Sequence, residues 1–250
     1  MKRAFPIFAV LTTLLLVYAL NQALSIVHIP GVAPTERTMG DVQRIFYYHV
    51  PSAWTTFLLF SVNLVASVVY LIRRNPVADA VAVVTGEVGV VFCTVVLVTG
   101  PIWARPVWGI WWTWDVRLTS TLVLWLIYVS YLVLRRFSDS AQTPVLAAAL
   151  AVFGALDVPL VYFSIWFFRT QHPQPVIGGG GSIDPRMLHV LLINWLAFSC
   201  FAFLICWSRY RLERLRREVE EAQALESLLG PEGVPAPAAG SKMPLPRGQQ

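Results

Sequence analysis

The chain has 250 residues, 56% apolar and only 13% charged, with a net charge of +5 and a mean hydropathy of +0.62. That balance excludes an ordinary soluble domain and points to a protein whose solvent is a bilayer. The positive charge forms no basic stripe on a soluble fold, so it speaks for membrane orientation and against nucleic-acid binding.

A bilayer crossing takes about 20 apolar residues. Six stretches qualify: 5–27, 52–72, 80–99, 118–134, 144–168 and 187–207. Backbone exposed to lipid must bond within its own segment, so all six are expected as helices in an all-α transmembrane bundle. The first follows Lys2 and Arg3 as a signal peptide would. Its apolar run exceeds the roughly 7–15 residues of a signal core, so it is read as a retained span.

Paired or clustered cations follow alternate spans. Lys2 and Arg3 precede the first, Arg73 and Arg74 follow the second, Arg135 and Arg136 the fourth, and Arg209, Arg211, Arg214, Arg216 and Arg217 the sixth. The positive-inside rule then puts both termini in the cytoplasm and the loops around residues 28–51, 100–117 and 169–186 outside. In a bacterium those loops face the periplasm. The predicted organisation is a membrane domain over 1–208, a charged cytoplasmic helix over 209–229 and a disordered Pro/Ala/Gly-rich tail over 230–250.

The first outer loop ends in Arg44-Ile-Phe-Tyr-Tyr-His49-Val-Pro51. Pro51 suits the start of the second helix, placing His49 at or just before its outer end.

Five of the ten tryptophans crowd the second outer loop: Trp103, Trp108, Trp111, Trp112 and Trp114, with Arg105, Asp115 and Arg117 among them. If Pro106 opens a short helix, Trp108, Trp111, Trp112 and Asp115 share one face. The result is a flat aromatic platform with charge at its rim. Interfacial tryptophans commonly serve as anchors, but this density favours a surface for a large, flat, apolar ligand. Asp115 has three readings: partner of an arginine (the favoured one), cap of the fourth helix, or hydrogen-bond acceptor for a histidine.

The third outer loop runs from Trp166 through His172 and Gly178-Gly-Gly-Gly181 to Asp184-Pro185. The glycine run lacks the Lys-Ser/Thr and the preceding strand of a phosphate loop and reads as a hinge. Ser182 or Asp184 suits the cap of the sixth helix. Cys93, Cys200 and Cys206 form neither C-x-x-C nor C-x-x-C-H, so they read as packing residues and offer no site for covalent thioether attachment of a cofactor. Glu87 and Asp157 lie within spans, where a carboxyl is a functional candidate unless protonated or paired, for example with Asn63 or Asn194. Asp157 also lies two residues before Pro159, where a kink would free backbone groups.

The four histidines, His28, His49, His172 and His189, all fall at the outer face, so sidedness selects no pair. His49 and His172 each follow aromatic residues in a joint able to lean over the tryptophans; His189, one turn into the sixth helix, suits packing. A porphyrin offers flat apolar faces, an iron that two neutral imidazoles hold, and propionates for Arg44, Arg105 or Arg117.

The run Trp108-Gly-Ile-Trp-Trp-Thr-Trp-Asp-Val-Arg-Leu-Thr-Ser120 resembles the WWD signature of the haem-handling superfamily of cytochrome c biogenesis. With six spans and this length, the chain is most similar to the cytochrome c maturation protein C (haem exporter protein C) family over most of residues 5–208. The resemblance implies axial haem ligands at His49, within His49-Val-Pro51, and at His172, after Tyr162, Ser164 and Trp166. It implies a non-enzymatic carrier of haem b that hands its cargo to a membrane-anchored haem chaperone and works with an ABC-type ATPase/permease pair. Glu36 and Arg44 are then the expected chaperone contacts. The setting implied is the bacterial inner membrane. The rivals are a b-type electron-transfer subunit, which would bury paired histidines mid-span, and a permease, which would break helices near the midplane. The longer haem lyase branch of the superfamily needs more spans.

Overall fold

The computed structural model describes residues 4–24, 39–138, 140–175, 177 and 183–229. Among them the chain forms seven α-helices: α1 (Ala4–Leu24), α2 (Phe46–Arg73), α3 (Pro76–Trp108), α4 (Val116–Phe137), α5 (Thr143–Ala155), α6 (Asp157–Phe167) and α7 (Pro185–Leu229). Six helical segments are long and apolar enough to cross a membrane, α5 and α6 together making one. The chain divides into a compact unit through Tyr210 and a second beginning at Arg211. Within the second, Arg214–Glu218 and Arg217–Glu213 are i,i+4 ion pairs along α7. His28, Glu36, Gly178–Gly181, Ser182 and the tail over 230–250 lie outside the described residues.

Local chemistry sets the helix ends. Asn75 accepts a hydrogen bond from the Val77 amide and Pro76 occupies the first turn, so α3 starts immediately after Arg74 closes α2 in the left-handed region (φ 52°). Among α2–α6 the tight α2–α3 hairpin is the most extensive pairing, and α5 packs beside α2 while α4 bridges α3, α5 and α6. Phe60, Cys93, Tyr128, Tyr131, Ala151 and Val161 form the central buried cluster, with Phe60 stacked on Tyr128 at 3.6 Å. Cys93 is fully buried and all three cysteines are free. α1 lies on α7 through edge-on contacts of Phe5 with Trp207 and Phe8 with Phe203.

Three expectations are corrected and one is met. α2 begins at Phe46, directly after a 3₁₀ turn over Asp41–Ile45, so His49 lies inside the helix and Pro51 does not open it. The one bond Pro51 forgoes, to the Tyr47 carbonyl, is tolerable where neighbouring helices pack around it. Pro106 starts no helix either: α3 runs through Pro101 and Pro106 and stops at Gly109, whose positive φ of 79° ends it and whose carbonyl accepts from Arg105. The kink expected at Pro159 is present: the fifth span is broken at Leu156, because Pro159 cannot donate to the Ala155 carbonyl. Asp157 opens α6 there, and its Oδ2 is buried without a hydrogen-bond partner among the described residues. Finally, Glu87 pairs with neither Asn63 nor Asn194. Arg209 grips it through two bonds of 2.8 Å, while Asn63 donates to the Ala82 carbonyl and Asn194 to those of Ala19 and Val190.

Candidate functional site

At the end of the bundle opposite Arg73, Arg74 and Arg135, the elements part around a cavity of about 400 Å³. α2 contributes His49, the last turns of α3 contribute Trp103 and Trp108, and the non-helical connection 109–115 contributes Trp112. Arg117 enters from the first turn of α4 and His172 from the segment after α6. A volume of this order and a largely apolar lining with a few convergent polar groups are what a small-molecule pocket requires.

The two imidazoles meet: the His49 and His172 ring centres are 6.3 Å apart, with planes inclined at 33°. Both rings have a settled tautomer. His49 Nδ1 lies 2.9 Å from Thr99 Oγ1, whose own proton goes to the Val95 carbonyl at 2.6 Å. The hydroxyl oxygen must therefore accept, and His49 Nδ1 is the donor. His172 Nδ1 lies 2.9 Å from the Pro173 carbonyl, which can only accept. In each neutral ring the proton is on Nδ1, leaving the Nε2 lone pair free. Burial, reinforced by the Arg117 charge, lowers the His172 pKa to about 4, so the ring is neutral at pH 7. His49 packs beside Gly100, where an added Cβ would stand 3.4 Å from its Cε1.

Among the described residues Asp115 makes no hydrogen bond or ion pair with an arginine. Its Oδ1 accepts from the Leu118 amide at 2.9 Å, capping α4. Its Oδ2 accepts from Thr170 Oγ1 at 2.9 Å, the Gln171 amide at 3.3 Å and Thr113 Oγ1 at 3.3 Å. Arg117 donates instead to the carbonyls of Val161 and Tyr162, through Nη1. Among the described residues its Nε and Nη2 carry no hydrogen bond, so it retains donors for an anion in the cavity.

The other expected site residues are placed as follows. Arg44 donates to the Ala23 carbonyl at 2.7 Å and to Asp41, pinning the end of α1, and does not line the cavity. Arg105 is exposed and engaged at the end of α3. Trp111 and Trp114 are 59% and 77% exposed and outside the cavity lining. The tryptophans make no flat platform: Trp103–Trp108 and Trp112–Trp114 meet edge to face, at 83° and 76°. That arrangement sets the positive edge of one ring against the negative face of the next. His189 is exposed on α7, not packed. Among the described residues no group of three or more His, Cys, Asp or Glu side chains could hold a metal ion. Thr99 and Thr170 were not singled out in the sequence. Thr99 carried a faint signal, being a hydroxyl beside a glycine near the end of an apolar span.

Fold and cavity together define a multi-pass helical membrane protein with a two-imidazole pocket walled by indoles. The model of the family described as Heme exporter protein C matches residues 1–225. Heme exporter protein C of Bradyrhizobium diazoefficiens is 34% identical over 228 residues, 90% of this chain and 84% of its own. That of Escherichia coli K12 is 34% identical over 187 residues, 74% of each. A putative cytochrome c biosynthesis ccmC-like mitochondrial protein of Arabidopsis thaliana is 33% identical over 211 residues, 84% of this chain and 79% of its own. The chain belongs to the heme exporter protein C family.

Proposed function

We propose that the protein binds haem b between His49 and His172 on the extracytoplasmic side of the bacterial inner membrane. It then passes the haem to a membrane-anchored chaperone for cytochrome c maturation. The observation that carries this is the imidazole pair. A metal atom between two imidazole nitrogens at about 2 Å each, with each ring centre about 1 Å behind its nitrogen, sets the centres about 6 Å apart. The observed spacing is 6.3 Å, and both Nδ1 atoms are occupied, which orients Nε2 as the ligating nitrogen. Trp103, Trp108 and Trp112 supply aromatic wall, and Arg117 supplies donors for a propionate.

The arginine clusters support the orientation, with both termini cytoplasmic. The names of the relatives support haem export and cytochrome c biosynthesis as the setting, and the partner that the family resemblance implies is an ABC-type ATPase/permease assembly. The role is carriage, with the protein holding and releasing haem unchanged.

The test is the optical spectrum of the purified full-length protein beside His49→Ala and His172→Ala. Wild type should show low-spin, six-coordinate haem, and each substitution should abolish that signature. Low-spin haem surviving both substitutions would overturn the assignment. Stable haem retention through redox cycling with a quinol would favour an electron-transfer subunit.

A further inference from the structure

His49 and His172 are mounted differently. His49 sits in α2, with backbone bonds along the helix and Thr99 on its Nδ1. His172 sits in a non-helical segment after Phe168. Among the described residues, every hydrogen bond from residues 169–175 to another element ends on one atom, Asp115 Oδ2. The remaining bonds there are local: the His172 amide donates to Thr170 Oγ1 at 3.1 Å, and its Nδ1 to the Pro173 carbonyl. Thr170 is thus a relay, donating to Asp115 and accepting from the backbone of His172.

From this geometry we infer that Asp115 and Thr170 form a latch that positions His172, and that the site opens for hand-over on the His172 side while His49 stays fixed. Asp115 and Thr170 are positioning residues; neither touches the cargo. One carboxylate serves two tasks through separate oxygens, capping α4 with Oδ1 and holding the His172 segment with Oδ2. The N-cap ties the latch to the first turn of α4, where Arg117 lines the cavity, so ligand and anion donor share one anchor. A carrier gains from this asymmetry: a site closed by two helix-borne ligands would hold its cargo without an easy exit. Here a single hydrogen-bonded hub gives way, and one axial bond can break without disturbing the bundle. The inference rests on the reading of His49 and His172 as haem ligands, but the latch itself can be probed without haem.

The two tasks of Asp115 can be separated. Asp115→Asn keeps a side-chain oxygen able to cap α4, while its NH₂ cannot accept the Thr170 hydroxyl or the Gln171 amide. Thr170→Val removes the relay and leaves the cap untouched, and Thr170→Ser is the conservative rescue. In the full-length, detergent-purified protein, Asp115→Asn and Thr170→Val should convert the low-spin spectrum to a mixed or five-coordinate one. Added imidazole should restore it by filling the vacated side, and haem transfer to an apomyoglobin acceptor should speed up by about 10–100-fold, the usual consequence of removing a ligand-orienting partner. Thr170→Ser should behave as wild type.

In haem-free protein, hydrogen exchange should rise at Gln171 and His172 in both variants, with the first turn of α4 unchanged. Unchanged exchange, spectrum and transfer rate in Thr170→Val would overturn the latch. A wild-type spectrum lacking the two-histidine signature, with the exchange result intact, would instead overturn the ligand assignment. If Asp115→Asn fails to fold, Thr170→Val alone decides the matter.

Discussion

The two ends of the bundle are built on opposite plans. At the end bearing Arg135, side chains close on one another. Arg135 forks onto Asp79, both side chains nearly buried at 12% and 5% exposure, and the guanidinium lies 4.9 Å from the Tyr131 ring centre. Nearby, glycines on α3 admit aromatic rings: a Cβ on Gly89 would collide with Phe60, and one on Gly86 would stand 2.8 Å from Tyr131. At the tryptophan end, α3 runs through two prolines until a left-handed glycine brings it to a halt, the helices separate, and polar groups point into a cavity. Close packing at one end allows an open, adjustable site at the other. Substitutions at the closed end should change stability and leave the haem spectrum alone, and those at the open end should do the reverse.

The sharpest way to break this division is Arg135→Ala. It removes the guanidinium that forks onto the buried Asp79 carboxylate, and loss of one partner of a buried ion pair costs about 3–5 kcal/mol. Thermal unfolding of the detergent-solubilised protein should fall accordingly, with the spectrum of the surviving folded fraction unchanged. A changed spectrum would mean that the two ends are coupled.

Gly89→Ala comes next. Small residues at such positions let helices approach closely. Phe60 is fully buried and stacked on Tyr128 with planes 5° apart, so it has no room to withdraw. Overpacking of this kind costs about 1–3 kcal/mol, readable in the same unfolding experiment, again without spectral change. Gly89→Ala with wild-type stability would show that α2 and α3 slide more freely than their packing implies.

How far the sequence announced each end follows from the range of the interactions involved. Six apolar runs made the spans legible, because lipid leaves the backbone one option. The helix ends were less so. Proline at 51 and 106 reads as a start signal in a soluble helix, whereas here it is absorbed within longer helices. The broken fifth span was foreshadowed by Pro159.

The aromatic crowding between Trp103 and Trp114 marked the open end, and motif resemblance singled out His49 and His172. Partners distant in sequence were beyond reach. The pairing of Asp115 with Thr170 spans 55 residues and that of Glu87 with Arg209 spans 122, and no local pattern encodes either. Arg44, Arg105 and Arg117 looked equivalent as rim cations because charge is visible in a sequence. Prior engagement of that charge by a backbone carbonyl, as in Arg44, is not.

The smallest predicted effect tests the open end from within. Trp112 lines the cavity, and its indole nitrogen is buried with no hydrogen-bond partner among the described residues. Trp114, only two residues on, meets Trp112 edge to face at 5.8 Å but stands 77% exposed. An aromatic contact contributes about 0.5–1.5 kcal/mol beyond the area it buries. Trp112→Ala should therefore weaken haem binding by up to roughly tenfold, measured by titration with the His49 and His172 ligation intact, while Trp114→Ala should leave affinity within error of wild type. Trp112→Phe, which retains an aromatic face but no N–H, divides the loss further: near-wild-type affinity assigns it to ring contact, and a loss equal to that of alanine assigns it to the indole donor. Equal effects of Trp112→Ala and Trp114→Ala would mean that the cargo rests on the exposed rings as well, and that the open end extends beyond the cavity walls.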